Sequence, residues 1–144
     1  MRYEFIKNNK GSEFFPVELS EIEEVEEALG LKLPSELRDL FIEVGYGFLG
    51  ESENNINRLM GPYSLRDARL KVNDFEFYPD IDAYEDLEET KLIFFEASES
   101  ALLLIEMGEG KDNSIYYDDI KIANSLEEFL KKMMENDNYY IDIE

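Results

Sequence analysis

Two continuous apolar runs in the second half of the chain constrain its fold more than any other feature. They read Leu-Ile-Phe-Phe at residues 92–95 and Ala-Leu-Leu-Leu-Ile at residues 101–105. Runs of this length without polar alternation are typical of central strands that are buried on both faces of a sheet. Residues 108–113 have the composition of a turn, so we predict that residues 114–117 return as an antiparallel hairpin partner.

Helical patterns accompany these predicted strands. The clearest covers residues 34–44, where a proline begins the pattern and Gly45 provides a left-handed stop. Its apolar residues recur at i, i+3, i+4 and i+7: Leu37, Leu40, Phe41 and Val44. This spacing predicts a helix with one apolar stripe facing a core.

Capping boxes predict where two further helices begin. Ser20 with Glu23 marks a helix that ends at Gly30, and Ser125 with Glu128 marks the last helix of the chain. The first of these is joined to the 34–44 helix by a tight link. We therefore expect the two to form a helical pair on one face of the sheet.

The remaining segments give weaker patterns. Residues 75–79 alternate in strand fashion, residues 54–60 predict a short strand, and residues 64–72 predict a short helix. Residues 1–19 contain two apolar clusters that are either edge strands or a packed arm. Residues 136–144 are either a strand end or a partly ordered terminus.

The composition indicates a folded and strongly acidic domain. Hydrophobic residues make up 44% of the 144 residues, which is enough for a core, and we expect residues 1–144 to form one domain. Thirty-five acidic residues against 14 basic ones give a formal net charge of −21. This charge disfavours nucleic acid and anionic membranes as partners and favours a basic protein. The alternative is that acidity serves only solubility.

The chain contains no cysteine and no histidine. Their absence excludes disulfides, thiolate metal sites, and Ser-His-Asp or Cys-His catalysis. We expect no cofactor, no metal site and no catalytic residue. The first ten residues lack the apolar run of a signal peptide, and no segment approaches the roughly 20 apolar residues that span a bilayer, so we expect a cytoplasmic protein.

The segment at residues 80–89 is the most acidic candidate for a partner-binding surface. Its apolar residues Ile81, Tyr84 and Leu87 recur every three positions, which predicts one or two amphipathic turns with the acids outside. Tyr84 is the predicted aromatic anchor of a contact. The acidic residues of the predicted surface are Asp80, Asp82, Glu85, Asp86, Glu88 and Glu89.

A second candidate surface follows the 34–44 helix. Tyr46 and Phe48 lie between three glycines in a predicted loop that passes the chain from helix to sheet. The glycine spacing superficially matches a dinucleotide-binding fingerprint, but those glycines must open a helix, whereas these close one. If Tyr46 and Phe48 are exposed, this loop is a second partner site.

The segment between residues 58 and 71 reverses the overall sign of charge. Four bases occur there: Arg58, Arg66, Arg69 and Lys71. They either pair internally with the acidic first helix or form a patch for an anionic ligand.

The chain contains two short motifs. The first is Leu33-Pro34, then Leu37 and Leu40-Phe41, followed by the Gly45-Tyr46-Gly47 turn; the second is residues 122–130, where a strand leads into a capped helix. Both resemble motifs of the SUKH superfamily. The resemblance implies an α+β fold with a single mixed, largely antiparallel sheet and helices packed mainly on one face. No catalytic residues are carried over, because the family is not known for any.

The resemblance also implies a function. Bacterial members are typically immunity proteins that neutralise polymorphic toxins, many of them nucleases, and fungal relatives regulate cell-wall synthesis. With the acidic charge, this leads to the hypothesis of a non-enzymatic immunity protein that binds a basic toxin domain, a nuclease, through an acidic surface. The alternatives are a regulatory protein-interaction adaptor and a small-ligand-binding module.

Overall fold

The computed structural model describes residues 2–8, 10–50, 55–78, 81–98, 101–108 and 112–142. They form an α+β fold, as predicted, around a seven-stranded sheet whose strands lie in chain order. Every neighbouring pair of described strands is antiparallel.

Three helices lie between strands in the first half of the chain, and four consecutive strands precede the last helix. In order they are β1 (Glu13–Phe15), α1 (Leu19–Leu29), α2 (Ser35–Glu43), β2 (Tyr46–Phe48), β3 (Arg58–Leu59), α3 (Pro62–Leu70), β4 (Lys91–Ser98), β5 (Ala101–Glu106), β6 (Ile115–Tyr117), β7 (Ile120–Ala123) and α4 (Leu126–Glu135). Short 3-10 turns cover Glu4–Asn8, Asn73–Phe75, Ile81–Tyr84, Leu87–Glu89 and Tyr139–Asp142.

The two central strands are those that the apolar runs predict, and β6 is their hairpin partner. Side chains alternate along β5, so Leu103 and Ile105 enter one hydrophobic cluster while Leu102 and Leu104 enter another. The sheet therefore has a core on each face. One is lined by helices α1, α2 and α4, and we call it the helical face.

The helical face is built from the amphipathic stripes that the sequence predicts. Helix α4 is capped by Ser125, whose hydroxyl accepts the backbone N–H of Glu128 at 3.1 Å.

The predicted start of α1 is wrong by two residues. Glu18 is its N-cap, and the backbone N–H of Glu18 donates to the Glu21 carboxylate at 2.7 Å, so the chain is already ordered before Ser20.

The segment after α2 is a strand and not the predicted loop. Gly45 has φ +111°, and a Cβ there would lie 1.9 Å from the carbonyl oxygen of Phe15. A Cβ on Gly47 would lie 2.0 Å from the carbonyl oxygen of Glu13. The two glycines therefore allow β1 to pair closely with β2, which propensity alone disfavours.

The opposite face of the sheet is covered mainly by irregular chain, contrary to the strand predicted at residues 75–79. Lys71 and Asn73 have φ values of +58° and +53°, which turn the chain back after α3. A 3-10 turn then buries Phe75 and leaves Phe77 in solvent. In a strand these two side chains would share one face.

Candidate partner-binding surface

The predicted acidic surface lies in the irregular chain that covers the second face of the sheet. We call residues 71–78 and 81–89 the acidic lobe; Asp80 lies outside the described residues. Phe75, Ile81 and Tyr84 pack into a cluster with the sheet residues Leu102 and Leu104. The lobe is thus attached to the centre of the sheet by its apolar side chains.

Polar contacts join the two ends of the lobe to each other and to helix α3. The Lys71 ammonium lies 3.0 Å from the Glu88 carboxylate, and the Arg69 guanidinium donates to the backbone carbonyls of Glu88 at 2.8 Å and Lys91 at 3.1 Å. Burial raises the pKa of Glu88, and the hydrogen bond and charge of Lys71 oppose that shift. The last turn of the lobe is therefore held through both the side chain and the backbone carbonyl of Glu88.

Two of the predicted contact residues are not available on the surface. Tyr84 is 7% exposed, and its hydroxyl accepts the backbone N–H of Leu102 at 3.3 Å. Glu88 is also 7% exposed and is paired with Lys71. Tyr84 faces the protein because it lies on the apolar face of the three-residue spacing, whereas Glu88 is drawn inward by its pair with Lys71.

The other acidic residues face solvent. They are Asp82, Glu85, Asp86 and Glu89. No cation is hydrogen-bonded to them among the contacts of the described residues, so their charges project a negative field outward.

Phe77 is the aromatic residue that sequence reasoning missed. It is 88% exposed, far more than Tyr84, and it stands at the edge of the lobe between Glu76 and Tyr78. The signal that could have found it is the pair Asn73-Asp74, because such residues favour a turn that interrupts a strand. Phe77 replaces Tyr84 as the aromatic candidate for a contact.

An open cavity of about 560 Å³ lies beside Phe77. Its lining residues are Lys71, Glu76, Phe77, Tyr78, Ile81, Asp82 and Ala83. The Tyr78 hydroxyl donates to the Glu96 carboxylate at 3.3 Å. Burial, and then the Glu96 charge, raise the pKa of Tyr78 to about 12. The Tyr78 hydroxyl in the cavity wall therefore stays protonated at neutral pH.

The second predicted surface faces the same side of the sheet as the lobe. Phe48 pairs in register with Arg58, Arg58 with Glu96, and Glu96 with Leu102, so these side chains form one row across four strands. Phe48 is 39% exposed at one end of the row, and Leu102 touches the lobe at the other. The two candidate surfaces thus share one face.

Tyr46 is the less accessible of the two strand aromatics. Its ring centroid lies 5.5 Å from that of Phe15, and its ring carbons pack directly beside Gly61. A methyl group on Gly61 would lie 3.0 Å from the Tyr46 ring. Tyr46 therefore serves mainly to join β2 to the start of α3, and Phe48 is the exposed member.

The basic segment is engaged within the protein, although not with the acidic helix α1. Arg58 pairs with Glu96 at 3.0 Å, and Arg66 pairs with Asp67 at 3.1 Å. Arg69 and Lys71 hold the lobe as described above. These pairings leave little uncompensated positive charge for an anionic ligand.

The described residues offer no arrangement for a metal ion. No group of three or more acidic side chains in that part of the chain is placed to hold one. None of the described helices has the length and apolar character that crossing a bilayer requires. The groups that this face offers to a partner are the exposed acidic and aromatic side chains of the lobe and of β2.

Comparisons with known proteins support the family resemblance that the two sequence motifs indicate. The sequence pattern of the SMI1 / KNR4 family (SUKH-1) matches residues 16–132. The chain is 61% identical over 143 residues to a Bacillus subtilis (strain 168) protein named immunity protein YxxD, covering 99% of this chain and 97% of the relative. No solved structure gives a significant match.

Proposed function

The chain belongs to the SMI1 / KNR4 family (SUKH-1), and from this premise we propose that it is an immunity protein that binds and neutralises a cognate toxin domain. The observation that carries the proposal is the 61% identity to an immunity protein over nearly the whole length of both chains. Binding of this kind requires a rigid surface and no catalytic group, so we propose that the protein is not an enzyme and uses no cofactor.

The finer proposal is that the toxin domain is a basic nuclease and that the acidic lobe contacts it. The net charge of −21 and the outward-facing carboxylates of the lobe support it. A nuclease presents cations to the phosphates of its substrate, and a negative protein surface satisfies the same cations. Long-range attraction then accelerates the encounter, and Phe48 on the same face extends the contact with apolar area.

We also propose that residues 1–144 act as one domain in the cytoplasm. Tyr3 near one end and Tyr140 near the other belong to the same buried cluster, which supports a single unit. A nuclease toxin meets its substrate in the cytoplasm, so its inhibitor must bind it there.

A co-expression assay tests the function and the surface together. The candidate toxin is the product of the reading frame adjacent to the gene, and the measurement is growth after its induction. We expect the wild-type chain to protect the cells. The variant with Asp82, Glu85, Asp86 and Glu89 all changed to Lys should lose protection and associate about 10- to 100-fold more slowly at low salt.

The matched control changes Glu23, Glu27, Asp119 and Glu135 to Lys. These acids are also exposed, and the variant changes the net charge equally. It should retain most of the protection, because its reversed charges lie away from the lobe. A wild-type chain that gives no protection contradicts the proposed function; a lobe variant that protects as well as the control contradicts only the surface.

A further inference from the structure

We infer that the cavity beside Phe77 receives an arginine or lysine side chain of the partner, which lies over the Phe77 ring and pairs with Glu76 and Asp82. This inference rests on the proposed function and names the chemistry that the partner must bring to the lobe. It is carried by the exposure of Phe77, the lining of the cavity and the charges at its rim.

The exposure of Phe77 is unusual within its own turn. The same segment buries Phe75 and Ile81 to 3% and 5% exposure, whereas Phe77 remains 88% exposed. The next most exposed large hydrophobic side chains among the described residues reach 57%. Single exposed hydrophobic residues are common, but this one also lines a cavity.

The neighbours of Phe77 hold its backbone in place. On one side the Phe75 ring is buried and lies 5.3 Å from the Tyr78 ring. On the other side the Tyr78 hydroxyl is bonded to Glu96 of the central strand β4. An aromatic residue held by fixed neighbours loses little conformational entropy when a partner covers it, which favours a slowly dissociating contact.

The lining of the cavity fits a long cationic side chain. Tyr78, Ile81 and Ala83 provide apolar walls that suit a methylene stem, and Glu76 and Asp82 provide carboxylates for its charged end. Among the described lining residues Lys71 is the one base, and its charge is compensated by Glu88 at 3.0 Å. An aromatic face beside carboxylates is a favourable environment for a guanidinium or ammonium group.

Other occupants fit the cavity less well. A second copy of this chain would bring another acidic lobe against Asp82, Glu85 and Glu89, and like charges at that distance repel. A phosphate or a nucleic acid meets the same repulsion. A neutral apolar side chain would cover Phe77 but would leave the carboxylates at the rim without a partner.

Dissociation kinetics test the inference on the purified full chain, with the toxin that the co-expression assay identifies as the probe. Phe77→Ala should raise the dissociation rate at least 10-fold. Phe77→Leu should raise it nearly as much, because leucine has no ring face, and Phe77→Trp should retain slow dissociation. Glu76→Gln with Asp82→Asn should also accelerate dissociation.

Two controls separate this contact from general surface effects. Ile42→Ala removes a side chain that is 57% exposed on helix α2, and Asp119→Asn removes an exposed charge beside β7. Both should change the dissociation rate less than twofold. Circular dichroism and thermal melts should coincide for all variants, since the Phe77 side chain is 88% exposed.

Each outcome has a distinct meaning. A Phe77→Ala variant that dissociates within twofold of the wild type overturns the inference and leaves the proposed function intact. A Phe77→Leu variant that behaves as the wild type shows that an apolar group enters the cavity, which overturns the cation. A wild-type chain that does not bind the toxin domain overturns the proposed function and this inference with it.

Discussion

The two faces of the sheet are closed by different kinds of structure. On the helical face the stripes of α1, α2 and α4 meet large aromatic side chains, and the Phe129 ring lies 5.8 Å from Phe94 and 5.2 Å from Phe95. On the opposite face the acidic lobe is made of short 3-10 turns, and a smaller set of buried residues connects it to the sheet. The helical face is closed by repeating apolar helix stripes, and the opposite face is closed by a few individual side-chain contacts.

This difference suggests that the helical face mainly stabilises the fold and that the lobe mainly serves binding. A helix with a continuous apolar stripe fixes many residues at once, so its solvent-facing positions have little freedom to form a shaped surface. A turn held by Phe75, Ile81 and Tyr84 leaves exposed residues between them, such as Phe77 and Asp82, free to vary without disturbing the core. We therefore expect mutations on the helical face to change folding and mutations of exposed lobe residues to change binding.

The largest predicted difference between the faces follows removal of one buried ring from each. Phe129→Ala should lower the free energy of unfolding by about 3–5 kcal/mol, because the rigid helical face leaves a cavity. Phe75→Ala, equally buried, should cost about 2–3 kcal/mol, because irregular chain can partly collapse into the space. Urea denaturation measures both, and equal losses would show that the lobe packs as rigidly as the helices.

A smaller effect should distinguish the ion pairs of the two faces. Lys71→Met leaves the buried Glu88 carboxylate without its ammonium partner and should cost about 2 kcal/mol. Lys131→Met breaks the 2.8 Å pair with Glu127 on α4, where both groups are solvated, and should cost about 0.3 kcal/mol. Hydrogen exchange should show faster opening of the lobe amides in the first variant, with β5 unchanged.

The double variant Lys71→Met with Glu88→Leu sharpens this test. It removes both charges and fills their place with apolar groups, so it should recover most of the lost stability. If the double variant is as unstable as Lys71→Met alone, the cost does not come from the unpaired carboxylate.

The helical face could be predicted from the sequence because its signals are local. The spacing of Leu37, Leu40 and Phe41 defines the buried stripe of α2, and Ser125 defines the start of α4 within a few residues. The central strands were equally clear, because β5 is apolar on both faces from Ala101 to Ile105. In each case the residues that determine the element lie inside it.

The candidate surface could be predicted only in part because its shape depends on distant contacts. Alternation at Phe75 and Phe77 favours a strand, and the left-handed conformations of Lys71 and Asn73 that prevent it are weak signals in the sequence. Strand β2 forms because β1 approaches Gly47, which no local pattern indicates. The burial of Tyr84, in contrast, is indicated by the sequence, because Tyr84 follows the apolar Ile81 by three residues.

The smallest expected effect compares the buried carboxylates of the two faces by their response to pH. Glu36 on the helical face is 3% exposed, and its carboxylate accepts backbone N–H groups from Asn113 and Leu126 and pairs with Arg2. Burial is the largest influence and raises the pKa of Glu36, as it does for Glu88. A raised pKa means that the folded state binds the proton more tightly than the unfolded chain.

The sign of the pH effect follows from that direction. The stability that Glu36 and Glu88 contribute is fully present below the ordinary glutamate pKa and is lost as pH rises through their raised values. Glu36→Gln and Glu88→Gln should each flatten the fall in unfolding free energy above about pH 4.5, measured by urea denaturation at a series of pH values. Glu127 provides the opposite control, because its hydrogen bonds from Lys131 and Arg2 lower its pKa, so its contribution is lost as pH falls. If Glu36→Gln leaves the slope unchanged while Glu88→Gln flattens it, then the N–H groups and Arg2 already offset the burial of Glu36. Of these two carboxylates, Glu88 alone would then oppose folding at neutral pH.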